Sequence, residues 1–117
     1  MDSPLLNTLA AQGCQVADAL DKTFMGREAF YEKMLRKLPQ SECLVKLRTA
    51  LEANDAKAAF EASHELKGVY ATLGLTPLYE KCCEIVEITR AGSTEGTLQL
   101  LPNLEAQHAS FIQIIAP

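Results

Sequence analysis

A chain of 117 residues, 48% hydrophobic and 22% charged, is long enough to bury a core and too apolar to remain disordered. Its net charge of −4 provides no basic footprint for a phosphate backbone, which argues against nucleic acid as a partner. No apolar run approaches the ~18 residues of a membrane span, and Met1-Asp2-Ser3-Pro4 lacks the basic start of a secretory signal, so a cytoplasmic protein without membrane association is expected.

Apolar residues recur at a helical period along the whole chain, and no alternating strand or Asn-Gly hairpin interrupts them. A first helical piece is predicted over Pro4 to Ala11, broken at Gly13. The second covers Gln15 to Met25, with Val16, Leu20 and Phe24 at four-residue intervals and Gly26 closing it. The third covers Arg27 to Leu38, its stripe of Phe30, Met34 and Leu38 widened by Tyr31 and Leu35, until Pro39 stops it. Ser41 is the predicted N-cap of a helix from Glu42 to Ala53 that turns Leu44, Leu47 and Leu51 inward.

Asn54-Asp55 makes a short corner, and a long helix then runs to Leu73, ended by Gly74. Thr76-Pro77 reads as an N-cap with proline at the first helical position. That helix carries Leu78, Cys82, Ile85 and Ile88 or Thr89, and fades at Ala91-Gly92. The last begins at Ser93 or Thr94 and ends near Ile115, with Pro102 expected to kink it or delay its start. Short connections make sequential helices antiparallel neighbours. The predicted fold is therefore all-α, an up-and-down antiparallel helical bundle with a four-helix core and extra N-terminal helical segments, in one domain over residues 1–117. A monomer is expected.

Cys14, Cys43, Cys82 and Cys83 have no zinc-ribbon spacing, and neighbouring cysteines on a helix point in different directions. They read as small apolar residues in a reducing compartment.

The chemistry concentrates in His64-Glu65-Leu66-Lys67-Gly68-Val69-Tyr70-Ala71-Thr72-Leu73-Gly74-Leu75. With His64 at zero on the helical wheel, Ala59, Ala62, Leu66, Val69, Tyr70 and Leu73 fall between about 140° and 240°, so the histidine opposes the apolar arc and faces water. Its own sector holds Lys57, Phe60, Glu61, Lys67, Gly68 and Ala71. Imidazole is nucleophilic at neutral pH because its ordinary pKa lies near 6.5. Lys67, at i+3, can bring an ammonium to a phosphoryl group on the ring. Glycine inside a helix costs about 1 kcal/mol relative to alanine, and Gly68 lies away from the apolar arc, so access to the ring explains it better than close packing. Glu61 and Glu65 read as solvated charges, no carboxylate cluster suggests a metal site, and no Gly-rich loop suggests nucleotide binding. His108 has no lysine or glycine at matching offsets and reads as a surface residue.

His64, Lys67, Gly68, Ala71 and Leu73-Gly74-Leu75 together resemble the histidine-containing phosphotransfer (HPt) family. The lead-in from Leu51 to Phe60 and the region of Leu78 and Cys82-Cys83 are also similar, and the likeness is strongest from Leu44 to Ile88. Ser63 stands where the family often has alanine, and Tyr70 where it usually has a small residue. The resemblance implies a phosphorelay intermediate without its own ATP site. His64 would accept a phosphoryl group from a receiver-domain aspartate, or from a histidine kinase system, and pass it to another receiver. Lys67 would stabilise the phosphate, Gly68 and Ala71 would leave access, and Phe60 and Glu61 would belong to the receiver-docking surface. No cofactor is implied on this chain; Mg²⁺ would sit on the partner receiver. Response-regulator receiver domains and hybrid histidine kinases are the implied partners.

Three other readings compete. One is a helical interaction module whose Phe60 and Gly68 groove binds a partner helix without phosphate chemistry. The second is an enzyme with His64 as general base, which would need a concave pocket and an orienting carboxylate. The third is the substrate domain of a separate chemotaxis-type kinase.

Overall fold

The computed structural model describes residues 2–117. Among the described residues it holds seven α-helices and one 3₁₀ turn, and no strand: α1 (Pro4–Ala11), α2 (Val16–Lys22), α3 (Glu28–Leu35), the 3₁₀ turn (Leu38–Gln40), α4 (Cys43–Glu52), α5 (Ala56–Thr72), α6 (Thr76–Arg90) and α7 (Thr97–Ile115). Helix α4 packs on α5, α5 on α6, α6 on α7, and α7 returns to α4. These contacts close a four-helix bundle, as the short connections predict, while α1 lies against α2 and α7 as an N-terminal addition. No helix among the described residues is long and apolar enough to cross a membrane.

A single cluster of buried side chains runs from Leu6 and Leu9 of α1 through Leu47, Leu66, Leu78 and Ile85 to Phe111 and Ile115 of α7. Helix α5 sits between α4 and α6 and gives the core Ala59, Ala62, Leu66 and Tyr70. Ser63 is buried beside them, where its hydroxyl donates to the Phe60 carbonyl at 3.2 Å and lies 3.5 Å from the Thr89 hydroxyl. A larger side chain at 63 would hold α6 away.

The α5–α6 corner is where the N-terminal helices dock. Gly74 adopts φ +68°, which favours glycine. A Cβ there would stand 2.8 Å from the Tyr31 hydroxyl, 2.9 Å from the Ala19 Cβ and 3.1 Å from the Gln15 carbonyl. The backbone N–H of Gln15 donates to the Gly74 carbonyl at 3.1 Å, and the Tyr31 hydroxyl donates to the Leu73 carbonyl at 2.6 Å. The missing side chain of Gly74 is thus what lets α2 and α3 close onto the bundle.

Tyr31 also corrects the expected stripe of α3. Phe24 stacks on Tyr31 at 4.4 Å between ring centroids, and Tyr31, Leu35 and Leu38 are the buried set, whereas Met34 is half-buried and Phe30 is 39% exposed. The Tyr31 side of this short helix faces inward with its hydroxyl on a distant carbonyl, and α3 ends at Leu35, before Pro39 enters the 3₁₀ turn. Ser41 sits one residue ahead of the N-cap of α4, Glu42, yet its hydroxyl still accepts from the Cys43 N–H at 3.4 Å.

Thr76 is the first residue of α6 rather than its cap, and its hydroxyl accepts from the Gln15 N–H at 3.3 Å. The last helix starts at Thr97, after Gly96 in the left-handed region, later than Ser93 or Thr94, and carries Pro102 within it. Cys14, Cys43 and Cys82 are buried free thiols and Cys83 is half-buried, in keeping with their reading as apolar residues. Burial pushes Cys14 up to about 11 and Cys82 up to about 12, so both stay protonated.

Candidate functional site

Helix α5 is capped by Asp55, whose carboxylate accepts from the Ala58 N–H at 3.0 Å and satisfies an otherwise orphaned donor of the first turn. From that fixed start the helical period carries the apolar residues inward. Ala59, Leu66 and Tyr70 are fully buried, Ala62 and Leu73 nearly so, and Val69 is half-buried. His64, midway along the helix, emerges on the opposite side and is exposed, together with Lys57, Glu61, Gly68 and Ala71. The wheel therefore placed the histidine correctly.

Lys67 is half-buried and takes part in no salt bridge among the described residues. It lies close enough to α6 for its charge to oppose, without overcoming, the effect of burial on the Cys82 thiol. Its ammonium thus has no carboxylate within ion-pair distance among the described residues. At Gly68 a Cβ would meet no atom within 4 Å among the described residues. Close packing of another helix is excluded as the reason for that glycine. Gly68 instead forms part of a shallow groove with Met34, Lys37, Leu38, Val69 and Thr72.

Phe60 makes two contacts on this face, one along α5 and one across to α6. Phe60, one turn before His64, is half-buried against the core, and its ring centroid lies 5.4 Å from that of the imidazole at an interplanar angle of 37°. The Arg90 guanidinium, from the end of α6, lies 5.1 Å from the same ring, and its Nε donates to Glu87 Oε2 at 2.9 Å. Phe60 thus joins His64 to a cation that sequence reasoning did not bring to the site. The separation of thirty residues between Phe60 and Arg90, on two helices, leaves no periodic signal, and only the α5–α6 packing reveals it.

His108 is a correction. Expected as a surface residue, it is half-buried, and its Nδ1 lies 2.7 Å from the Tyr70 hydroxyl. Burial lowers its pKa, keeping the ring neutral, and a neutral ring with its proton on Nε2 accepts the tyrosine's hydrogen at Nδ1. This contact also accounts for the bulk at position 70: Tyr70 is fully buried and needs a partner for its hydroxyl, which α7 supplies. Tyr70 therefore changes the interior and leaves the His64 surface untouched.

Among the described residues no three His, Cys, Asp or Glu side chains converge as a metal site. What the His64 face offers chemically is an accessible ring nitrogen, a cation one turn away without a carboxylate partner, and space for a bulky reactant between them. A family model described as the Hpt domain matches residues 40–113, which covers α4 to α6 and most of α7 and leaves α1 to α3 ahead of it. No curated protein and no solved structure matches the chain.

Proposed function

The chain belongs to the Hpt domain family and so has a phosphotransfer role in two-component signalling; from that premise we propose that His64 is the residue that carries the phosphoryl group. The observation supporting this most directly is its exposed position midway along α5, opposite the buried arc and inside the matched span. The donor is a receiver domain bearing an aspartyl phosphate, within a relay that includes a hybrid histidine kinase.

In the transfer, the lone pair of the unprotonated ring nitrogen attacks phosphorus. The N–P bond forms as the acyl P–O bond breaks, the aspartate leaves as a carboxylate, and the other ring nitrogen releases its proton to water. Onward transfer to a second receiver runs the same steps in reverse. The phosphoryl group brings about two negative charges, which the ammonium of Lys67 offsets as a flexible point charge. Gly68 and Ala71 leave the receiver room to approach, and Phe60 and Glu61 lie at the rim it meets. The Mg²⁺ that supports acyl-phosphate chemistry belongs to the receiver, and the chain works as a monomer in the cytoplasm.

Incubation with a panel of phosphorylated receiver domains tests the assignment. A phosphoramidate label is expected, acid-labile and base-stable, and absent from His64→Gln. Label that persists in His64→Gln, or that survives acid in the parent, overturns it.

A further inference from the structure

We propose that Phe60 is a positioning residue for His64, held in turn by Arg90, rather than only part of a docking rim. This rests on His64 being the phosphoacceptor.

An imidazole on the convex side of a helix has little to restrict its rotation, because solvent surrounds it. In-line transfer to a receiver needs a ring nitrogen held in one direction, since a nucleophile of fixed aim avoids an entropy cost at the transition state. Phe60 supplies a wall. Residues four apart on a helix are neighbours, and the two ring centroids lie 5.4 Å apart with their planes tilted by 37°. A wall is useful only if it is itself fixed, and Phe60 is fixed in two ways. It packs against the core cluster, and the Arg90 guanidinium stands 5.1 Å from its ring. Arg90 is anchored by Glu87, one turn back on α6, at 2.9 Å. Glu87, Arg90, Phe60 and His64 therefore form a continuous series that ties the aim of the imidazole to the α5–α6 packing.

A docking role and a positioning role separate in kinetics. Docking contacts act on how much receiver is needed, whereas positioning acts on the rate once the receiver is bound. Phe60→Leu keeps an apolar side chain at a half-buried site but removes the flat wall, Phe60→Tyr restores it, and Arg90→Gln loosens it from an exposed position.

The experiment uses the full chain, the receiver from the panel that phosphorylates the parent, and phosphoramidate as a small donor that needs no docking. In Phe60→Leu the saturating transfer rate should fall by about tenfold or more. The half-saturating receiver concentration should rise by a smaller factor than the rate falls, since Phe60 also lies at the docking rim, and the phosphoramidate labelling rate should fall by less than the receiver-dependent rate. The His64 ring protons should lose their ring-current shift in the NMR spectrum. Phe60→Tyr should recover the rate, and Arg90→Gln should lower the same parameter to a lesser degree. A raised half-saturating concentration with an unchanged saturating rate makes Phe60 a docking residue and overturns the proposal. An unchanged saturating rate despite altered ring signals overturns it as well. If the receiver labels His64→Gln as it labels the parent, the phosphoacceptor assignment falls and positioning falls with it, a result distinct from either kinetic failure.

Discussion

Two regions of this molecule each contain a histidine and a glycine, and they use them in opposite ways. On the outer face of α5, His64 is exposed and Gly68 stands beside open space. On the closed side, His108 is half-buried against Tyr70, and Gly74 is buried where the N-terminal helices meet the α5–α6 corner. Residue type alone therefore says little. A histidine facing solvent keeps a ring nitrogen free for chemistry, whereas one facing a tyrosine hydroxyl uses a ring nitrogen to satisfy a buried polar group. A glycine in open space gives up helix stability with no packing need for it, whereas one at φ +68° under three close neighbours makes the fold possible.

The largest test of this contrast is Gly74→Ala. A left-handed conformation costs an alanine about 1–2 kcal/mol, and crowding against Tyr31, Ala19 and Gln15 adds about 1–3 kcal/mol. The variant should lose several kcal/mol of stability by urea denaturation and melt about 10 °C or more below the parent. Phosphotransfer measured well below the melt should persist. A variant of parental stability would mean that the corner is not closed as described.

Gly68 should behave in the reverse manner. Gly68→Ala has room for its Cβ and should gain up to about 1 kcal/mol from helix propensity. Gly68→Gln should also fold, but its side chain projects near His64 and should reduce transfer from a receiver by about tenfold or more, while labelling by a small phosphodonor continues. If Gly68→Gln unfolds, the glycine serves packing after all. If it folds and transfers at the parental rate, the receiver docks elsewhere.

The smallest effect concerns pH. Burial lowers the pKa of His108, so the unfolded chain binds the proton more readily than the native one. The stability from the neutral ring is fully present above its unfolded pKa of about 6.5 and is lost progressively as pH falls from there toward the folded value. Tyr70 faces the ring directly, and Arg48 and Glu105 share its groove, paired with each other at 2.7 Å. Arg48 holds the Glu105 carboxyl below its usual range, so that pair weakens only in stronger acid. Urea midpoints at pH 7.5 and pH 5.5 should therefore fall more in the parent than in His108→Gln. Equal falls would place the titration elsewhere.

Helical periodicity resolved most of what lies within one helix. It placed the arc of Ala59, Ala62, Leu66 and Tyr70 inside and His64 outside, and it found the Asn54-Asp55 corner, where Asn54 has φ +56°. It was only partly right for α3, where Leu38, Tyr31 and Leu35 of the expected set are buried but Phe30 is exposed and Met34 only half-buried, and the Tyr31 hydroxyl reaches the Leu73 carbonyl. It failed for His108, whose burial depends on a tyrosine thirty-eight positions away.

The division has a physical basis. A helix repeats every 3.6 residues, so which side chains share a face is written in the local order of the chain, and the accessible histidine, its lysine and its glycine could be read from that order. Which helix covers a given face is decided by packing between elements distant in sequence. Only the tertiary structure could bring Arg90 onto Phe60, close α7 over Tyr70, and distinguish the crowded Gly74 from the open Gly68.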